Sequence, residues 1–254
     1  MMDIITHHSS LITKMVTPYS TDDDSKKKQV SKMFDNIAPY YDFLNRFLSL
    51  GIDTIWRKKA IDRLKSSQPQ RILDVATGTA DVAMETVRRL KPTHITGLDL
   101  SHEMLEVGRV KIKKAGMDNI IELLQGDSEN LPFPDASFDA VTVAFGVRNF
   151  EHLEKGLSEM ARVLKPGGKI IVLEFSRPTI FPFKQLFNMY FKNILPLIGR
   201  FTSKDPRAYS YLYESVQAFP DGANFVRILQ ETGYSKATAT PLTLGICSIY
   251  EAVK

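Results

Sequence analysis

Four stretches of this 254-residue chain place chemically able side chains at the ends of apolar runs. Residues 72–76, broken only by Asp74, lead into Gly78-Thr79-Ala80-Asp81; a second run ends in Asp99; a third is followed by Asp127-Ser128; a fourth ends Ala144-Phe145-Gly146-Val147-Arg148-Asn149-Phe150. A buried strand entering a tight turn at Gly78 lets the backbone approach a ligand with little side-chain bulk. A carboxylate at the end of the next strand, Asp99, is placed to accept both hydroxyls of a ribose, each such bond contributing about 1.5–3 kcal/mol. Capping the following helix would compete for Asp99, but Ser101 can do that instead. Asp127-Ser128 suits the edge of an adenine, although a simple turn explains the pair equally well from local sequence. Arg148 and Asn149, at a strand's carboxyl end, are expected to project into the same crevice. The turn lacks the three glycines of G-x-G-x-x-G, so a nucleoside ligand without a pyrophosphate fits better than a dinucleotide.

The elements that must position these residues alternate regularly from Gln70. Strands are expected at 71–76, 94–99, 120–125, 138–145 and 169–175, and helices at 80–90, 102–115 and 152–164. Pro166-Gly167-Gly168 resets the chain before the fifth strand. Such alternation implies an α/β fold, a doubly wound parallel sheet with helices on both faces and its ligand beyond the carboxyl ends of the strands. Residues 237–253 are expected to add an antiparallel hairpin, two strands around Pro241 and Gly245. Ahead of the sheet, Met33, Phe34, Ile37, Tyr40, Tyr41, Leu44, Phe47 and Leu48 fall at helical spacing, interrupted by Pro39. They predict a helical cap over residues 29–68. Residues 1–28 are polar and unpatterned and are expected to form a disordered tail, with His7-His8 a chance pair. Residues 29–254 then make a single domain, which this length can share as one core.

The bulk numbers narrow the partners. Lys and Arg total 33 against 29 acids, a net charge of +4. That excludes a nucleic-acid reading in the absence of a dense basic stripe, and is compatible with loose attraction to anionic lipid. A lone Cys247 forms no intrachain disulfide and suits a reducing cytoplasm. No export signal is expected at the start, and no apolar stretch reaches the ~20 residues of a spanning helix. The five His show no metal-ligand spacing, so no metal is expected.

Residues 175–204 contain no acid and carry Arg177, Lys184, Lys192, Arg200 and Lys204 among many aromatics. Phe183, Leu186, Phe187, Tyr190, Phe191 and Ile194 repeat along one wide helical face. Burying six such side chains is worth at most about 9–18 kcal/mol, so the face will not stay in water. Its partner is either the sheet's own core or, more specifically, a long apolar substrate, a subunit or a bilayer surface. Residues 176–217 are expected to form an aromatic-rich helical insertion serving as a lid.

The chain from about Val30 to its carboxyl end closely resembles the ubiquinone/menaquinone biosynthesis C-methyltransferase family, the demethylmenaquinone methyltransferases included. The resemblance rests on Tyr41-Asp42-Phe43-Leu44-Asn45 leading through Leu48-Ser49-Leu50-Gly51 to Trp56-Arg57. It continues in Phe145-Gly146-Val147-Arg148-Asn149, Arg162-Val163-Leu164-Lys165-Pro166-Gly167-Gly168, Leu173-Glu174-Phe175-Ser176, Glu214-Ser215-Val216 and Phe219-Pro220. It implies a Rossmann-like class I methyltransferase fold, S-adenosylmethionine as methyl donor and a polyprenylated quinol as acceptor. Demethylmenaquinol, methylated in the final step of menaquinone biosynthesis, is the favoured acceptor because that branch spans the widest range of bacterial relatives; 2-polyprenyl-6-methoxy-1,4-benzoquinol is the alternative, and some members use both. With the turn residues, the candidate cofactor contacts are Asp74, Gly78, Thr79, Asp99, Asp127 and Ser128. The pattern departs in two places. Ala80 stands where many relatives have glycine and is expected to take a negative φ as a first-turn helix residue; Ala144 stands where some have serine, removing a hydroxyl.

The implied chemistry is in-line attack on a sulfonium methyl by an electron-rich ring carbon ortho to a hydroxyl. It calls for alignment, a favoured phenolate and exclusion of water. Arg148 is expected to stabilise the phenolate, directly or by holding a water that takes its proton, with Tyr41 and Asn149 positioning the ring. A prenyl tail would occupy the aromatic insertion, with the protein peripheral on the inner face of the cytoplasmic membrane. An NAD-dependent oxidoreductase and a catalytically silent assembly subunit are the rival classes. Oligomeric state is open, a homo-oligomer included.

Overall fold

The computed structural model describes residues 16–19, 22–194 and 207–254. Seven strands form one sheet: β1 (Arg71–Val75), β2 (His94–Asp99), β3 (Ile121–Gln125), β4 (Phe138–Ala144), β5 (Leu164–Phe175), β6 (Ser235–Leu242) and β7 (Cys247–Val253). Their order is β3-β2-β1-β4-β5-β7-β6. Strands β1 to β5 pair in parallel, and β7 runs antiparallel between β5 and β6. The winding reverses between β1 and β4, which opens a crevice beyond their carboxyl ends. Pro241 sits in β6, whose free edge requires no N–H from it.

Alternation along the strands divides the core in two. Leu73 and Val75 join Val141, Val143 and Val172 under α6 (Leu153–Val163) and α9 (Ala223–Glu231). Ile72 joins Ala140, Ile171 and Leu173 under α3 (Ile52–Asp62), α4 (Asp81–Leu90) and α5 (His102–Lys114). Successive residues of a strand point to opposite faces, so these single-residue offsets fill both layers.

The strands lie where the apolar runs predict them, except that β5 begins at Leu164, five residues early. Leu164 pairs with Phe138 before an irregularity, and Gly167 N–H donates to the carbonyl of Lys254 at 3.0 Å. The tail boundary also moves. Helix α1 (Lys26–Ile37) starts inside the stretch expected to be unstructured, with Ser25 as its N-cap. Lys26 is buried because its ammonium donates to the carbonyls of Arg148 and Phe150 at 3.1 and 2.8 Å. The His7-His8 pair lies outside the described residues, as do Arg200 and Lys204.

Helix α2 (Tyr41–Leu48) follows a one-turn 3-10 helix around Pro39, completing the cap with α3. In the insertion, α7 (Phe183–Met189) passes into a π turn, Tyr190–Ile194, and α8 (Arg207–Ala218) leads back to the sheet. The π turn changes the helical period at Tyr190; the part of the expected single face carried by the side chains of Phe191 and Ile194 lies outside the described residues.

Asp74 is 1% exposed in mid-β1, accepting from Thr142 Oγ1 at 2.6 Å and from Thr77 Oγ1 at 2.7 Å. Burial pushes its carboxyl up to about 6 against those two donors. The folded chain thus holds this proton more tightly than the unfolded one, whose carboxyl titrates near 3.9. Stability from the protonated group is complete below about pH 4 and is lost as pH rises through 6, by about 3 kcal/mol in all. Asp74→Asn removes that titration. Its unfolding free energy relative to the native chain should therefore rise by about 2 kcal/mol between pH 4 and pH 7. Denaturant melts at each pH would show it, and a difference independent of pH would contradict this reading of Asp74.

Candidate active site

The crevice at the strand reversal is walled by the ends of four strands. Ala76 and Gly78 follow β1, Asp99 to Ser101 close β2, Gly126 to Glu129 follow β3, and Ala144 to Gly146 follow β4. Helix α1 roofs it through Lys27, Val30, Ser31 and Phe34. Two glycines are required here. Gly78 has φ +55°, and a Cβ on it would stand 3.4 Å from Met104 and 4.0 Å from the Tyr41 ring. A Cβ on Gly146 would meet that of Ala76 at 2.5 Å, so only glycine lets the ends of β1 and β4 approach so closely. Ala76 and Phe145 also hold positive φ, 52° and 59°, at the rim of the cleft. Strain of this kind collects where a site over-determines its backbone.

Asp99 sits as expected. One carboxylate oxygen accepts Gly78 N–H at 2.8 Å and the other accepts Ser101 N–H at 2.9 Å, while Ser101, not Asp99, caps α5. Burial pushes the Asp99 carboxyl above its ordinary value, opposed by the backbone N–H groups around it. Each oxygen keeps a second lone pair for a hydroxyl. Asp127 and Ser128 line the same cleft, and Lys27 donates to Asp127 at 2.5 Å and to Glu129 at 3.4 Å.

The remaining candidates divide. Asp74 lies beneath the turn, fully engaged by Thr77 and Thr142, and does not line the cleft. Thr79 turns away as well: its hydroxyl donates to Asp42 at 2.5 Å and accepts from Lys111 at 3.1 Å. Both hold the turn rather than face a ligand. Ala80 has φ 64° and ψ 21°, not the expected negative φ, because α4 begins only at Asp81. Its N–H closes the turn on Thr77 at 3.0 Å, which costs a residue with a Cβ about 1–2 kcal/mol.

A second cavity, of about 360 Å³, adjoins the first, and the two share the walls Phe34, Tyr41 and Phe145. It is lined by Met33, Ile37, Leu44, Trp56, Phe175 and Tyr211 among others. Phe183, Leu186, Phe187 and Tyr190 also line it, so the insertion's aromatic residues face a cavity and not the sheet's own core. Arg148 and Asn149 diverge instead of meeting in one crevice: Arg148 lines the apolar cavity and Asn149 the cleft. Tyr41 stands between. Burial raises its hydroxyl, against the pull of Arg57, Asn45 and Arg148.

Arg148 is anchored by a residue unforeseen as a partner. Its guanidinium donates to Glu174 at 2.8 Å and to the carbonyl of Phe145, and lies 5.5 Å from the centre of the Phe175 ring. Glu174 is fully buried, and burial raises its carboxyl against the opposing charge of Arg148. A lone Glu within the apolar run of β5 was the available signal, since a buried carboxylate demands a partner. No comparable signal marks Lys27 within Lys26-Lys27-Lys28, which reads as solvated. Arg148 Nε and Asn149 Oδ1 are among several buried atoms with no hydrogen-bond partner among the described residues. Such groups are rare in a finished core and fit a site that a ligand completes.

Comparison with known proteins agrees with this geometry. The model of the ubiE/COQ5 methyltransferase family matches residues 22–254. A demethylmenaquinone methyltransferase of Bacteroides fragilis is 50% identical over 94% of this chain and 97% of its own length. A ubiquinone/menaquinone biosynthesis C-methyltransferase of Geotalea daltonii is 45% identical over 90% of this chain and 97% of its own. Among solved structures, an S-adenosylmethionine-dependent methyltransferase of Thermotoga maritima superposes with a TM-score of 0.61 over 88% of this chain and 99% of its own at 19% identity, a likeness of fold.

Proposed function

The chain belongs to the ubiE/COQ5 methyltransferase family, and from that premise we propose that it is an S-adenosylmethionine-dependent C-methyltransferase converting demethylmenaquinol to menaquinol. The observation that carries this reading is the pair of cavities meeting at Tyr41, a polar cleft at the strand reversal and a large apolar chamber behind it. The 50% identity with a demethylmenaquinone methyltransferase favours the naphthoquinol over the methoxy-benzoquinol acceptor.

The cleft residues fit the donor. Asp99 offers its two remaining lone pairs to a ribose, Gly78 admits the backbone, and Asp127 with Ser128 borders the adenine end. When bound, S-adenosylmethionine supplies an electrophilic methyl group on a positively charged sulfur. The chain's own part is alignment and electrostatics. Tyr41 holds the acceptor ring against the cleft wall, so that a ring carbon faces the donor. Arg148, fixed by Glu174, offers positive charge to the developing phenolate in an apolar chamber from which the bound acceptor displaces water, where such a charge acts strongly. Asn149, on the cleft side, orients the donor rather than the acceptor ring, a revision of its expected role.

The prenyl tail occupies the chamber beside Leu186 and Phe187, with the protein peripheral on the cytoplasmic face of the membrane that stores the quinone. Leu186→Ser with Phe187→Ser should raise KM for long-tailed quinols about tenfold or more while leaving short-tailed analogues nearly unchanged. Equal losses for both would remove the tail from this chamber. Quinone profiling of a strain lacking the protein tests the function itself. Accumulated demethylmenaquinone is expected, and an unaltered menaquinone pool would overturn the assignment; accumulated methoxy-benzoquinone would move it to the other ring.

A further inference from the structure

Helix α2 is apolar on two sides. Tyr41 and Leu44 face the acceptor chamber, while Phe43 and Phe47, 63% and 50% exposed, stack on each other at 5.9 Å on the outside. Tyr40 just before them and Leu50 just after, the latter 85% exposed, extend this outer face. An exposed contiguous apolar face of this kind is normally covered. Of the twelve large apolar side chains left exposed among the described residues, all but Val110 and Tyr40 belong to segments that also wall the chamber, and Tyr40 directly precedes the chamber residue Tyr41. Ile55 is on α3; Ile180, Phe181 and Met189 are on the insertion; Leu244 lies between the chamber residues Thr243 and Ile246. Leu50, Phe183 and Leu186 are both exposed and chamber-lining, which places them at its mouth.

The charges around this patch have one sign. The exposed charged side chains of α2, α3 and residues 176–194 are Arg46, Lys58, Lys59, Lys184 and Lys192, with no exposed acid among them. With their less exposed charges included, these segments alone carry a net +4, as much as the whole chain. An isologous dimer through this face would oppose like charges, whereas an anionic lipid surface complements them. No helix among the described residues is long and apolar enough to cross a membrane, so contact is with the interface.

We propose that the outer face of α2, with the tip of the insertion and the Leu244 turn, is a bilayer-docking surface that seats the chamber mouth among acyl chains at an anionic membrane. This rests on the prenylated acceptor argued above and adds where and how the enzyme meets the lipid. The tail then passes from acyl chains into the chamber without crossing water.

Vesicles of phosphatidylethanolamine, with or without phosphatidylglycerol, test it by co-sedimentation with the full chain. The native protein should bind the anionic vesicles more strongly, and added salt should weaken binding. Phe43→Ser with Phe47→Ser should lower partitioning by about tenfold to a hundredfold. The same variant should bind S-adenosylmethionine and methylate a short-tailed quinol in solution as the native protein does, which also shows that it is folded. Unchanged partitioning in the variant, or equal binding to neutral and anionic vesicles, would overturn the proposal. So would a native dimer, seen by sedimentation velocity, that this substitution dissociates. Failure of native protein to methylate the short-tailed quinol would instead defeat the functional reading, so the two failures are distinguishable.

Discussion

Asp99→Ala is expected to raise the Kd for S-adenosylmethionine by at least about a hundredfold, because it removes two hydrogen bonds to a charged acceptor worth about 1.5–3 kcal/mol each. The same carboxylate also holds Gly78 N–H and Ser101 N–H. Alanine therefore leaves two backbone donors without their partner and should lower stability as well. Asp99→Asn separates these effects, since it keeps the shape and one acceptor oxygen and should fall between native and alanine in affinity. Calorimetric titration at constant pH measures all three. A Kd for Asp99→Ala within about threefold of native would remove Asp99 from the ribose.

The second large effect lies across Tyr41, on the acceptor side. Arg148→Ala should cut turnover at saturating donor by about 10²–10³-fold, the usual loss when one stabiliser of a developing oxyanion is removed, while leaving the Kd for S-adenosylmethionine near native. It also strands Glu174 in the core. Breaking a buried pair in this way costs about 3–5 kcal/mol when the charge remains, but burial already raises the Glu174 carboxyl, so uptake of a proton should soften the loss. Arg148→Lys keeps the charge without the planar guanidinium that lies beside Phe175 and should recover only part of the rate. Glu174→Gln leaves Arg148 charged beside a neutral partner that holds it less firmly and should lower kcat more than it raises KM. Near-native turnover in Arg148→Ala, with donor binding intact, would show that Arg148 does not stabilise the phenolate.

Much of this site is legible in the residues because strand ends and glycine turns are local features. The apolar runs before Gly78, Asp99, Asp127 and Gly146 fix the strands, and β-α alternation fixes where their ends converge. Which way a side chain then turns depends on partners far along the chain, and there the reading is weaker. Thr79 faces Asp42 and Lys111, and Asp74 faces Thr142, contacts spanning tens of residues that no local pattern encodes. Arg148 and Asn149 part because the chain turns through a 3-10 helix, Val147–Asn149, immediately after β4. Lys26 and Lys27 look solvated in a basic run, yet one caps carbonyls of the Arg148 segment and the other meets Asp127. Ala80 shows the limit of propensity: the tight turn demands positive φ, and the surrounding core imposes it on a residue that would avoid it alone.

The most direct test supplies the purified protein with S-adenosylmethionine carrying a deuterated methyl group and with chemically reduced demethylmenaquinol, and reads the quinone by mass spectrometry. One deuterated methyl on the ring carbon, dependent on prior reduction of the quinone, is the expected product. Label on an oxygen, or no label in the quinone, would contradict carbon methylation of this acceptor.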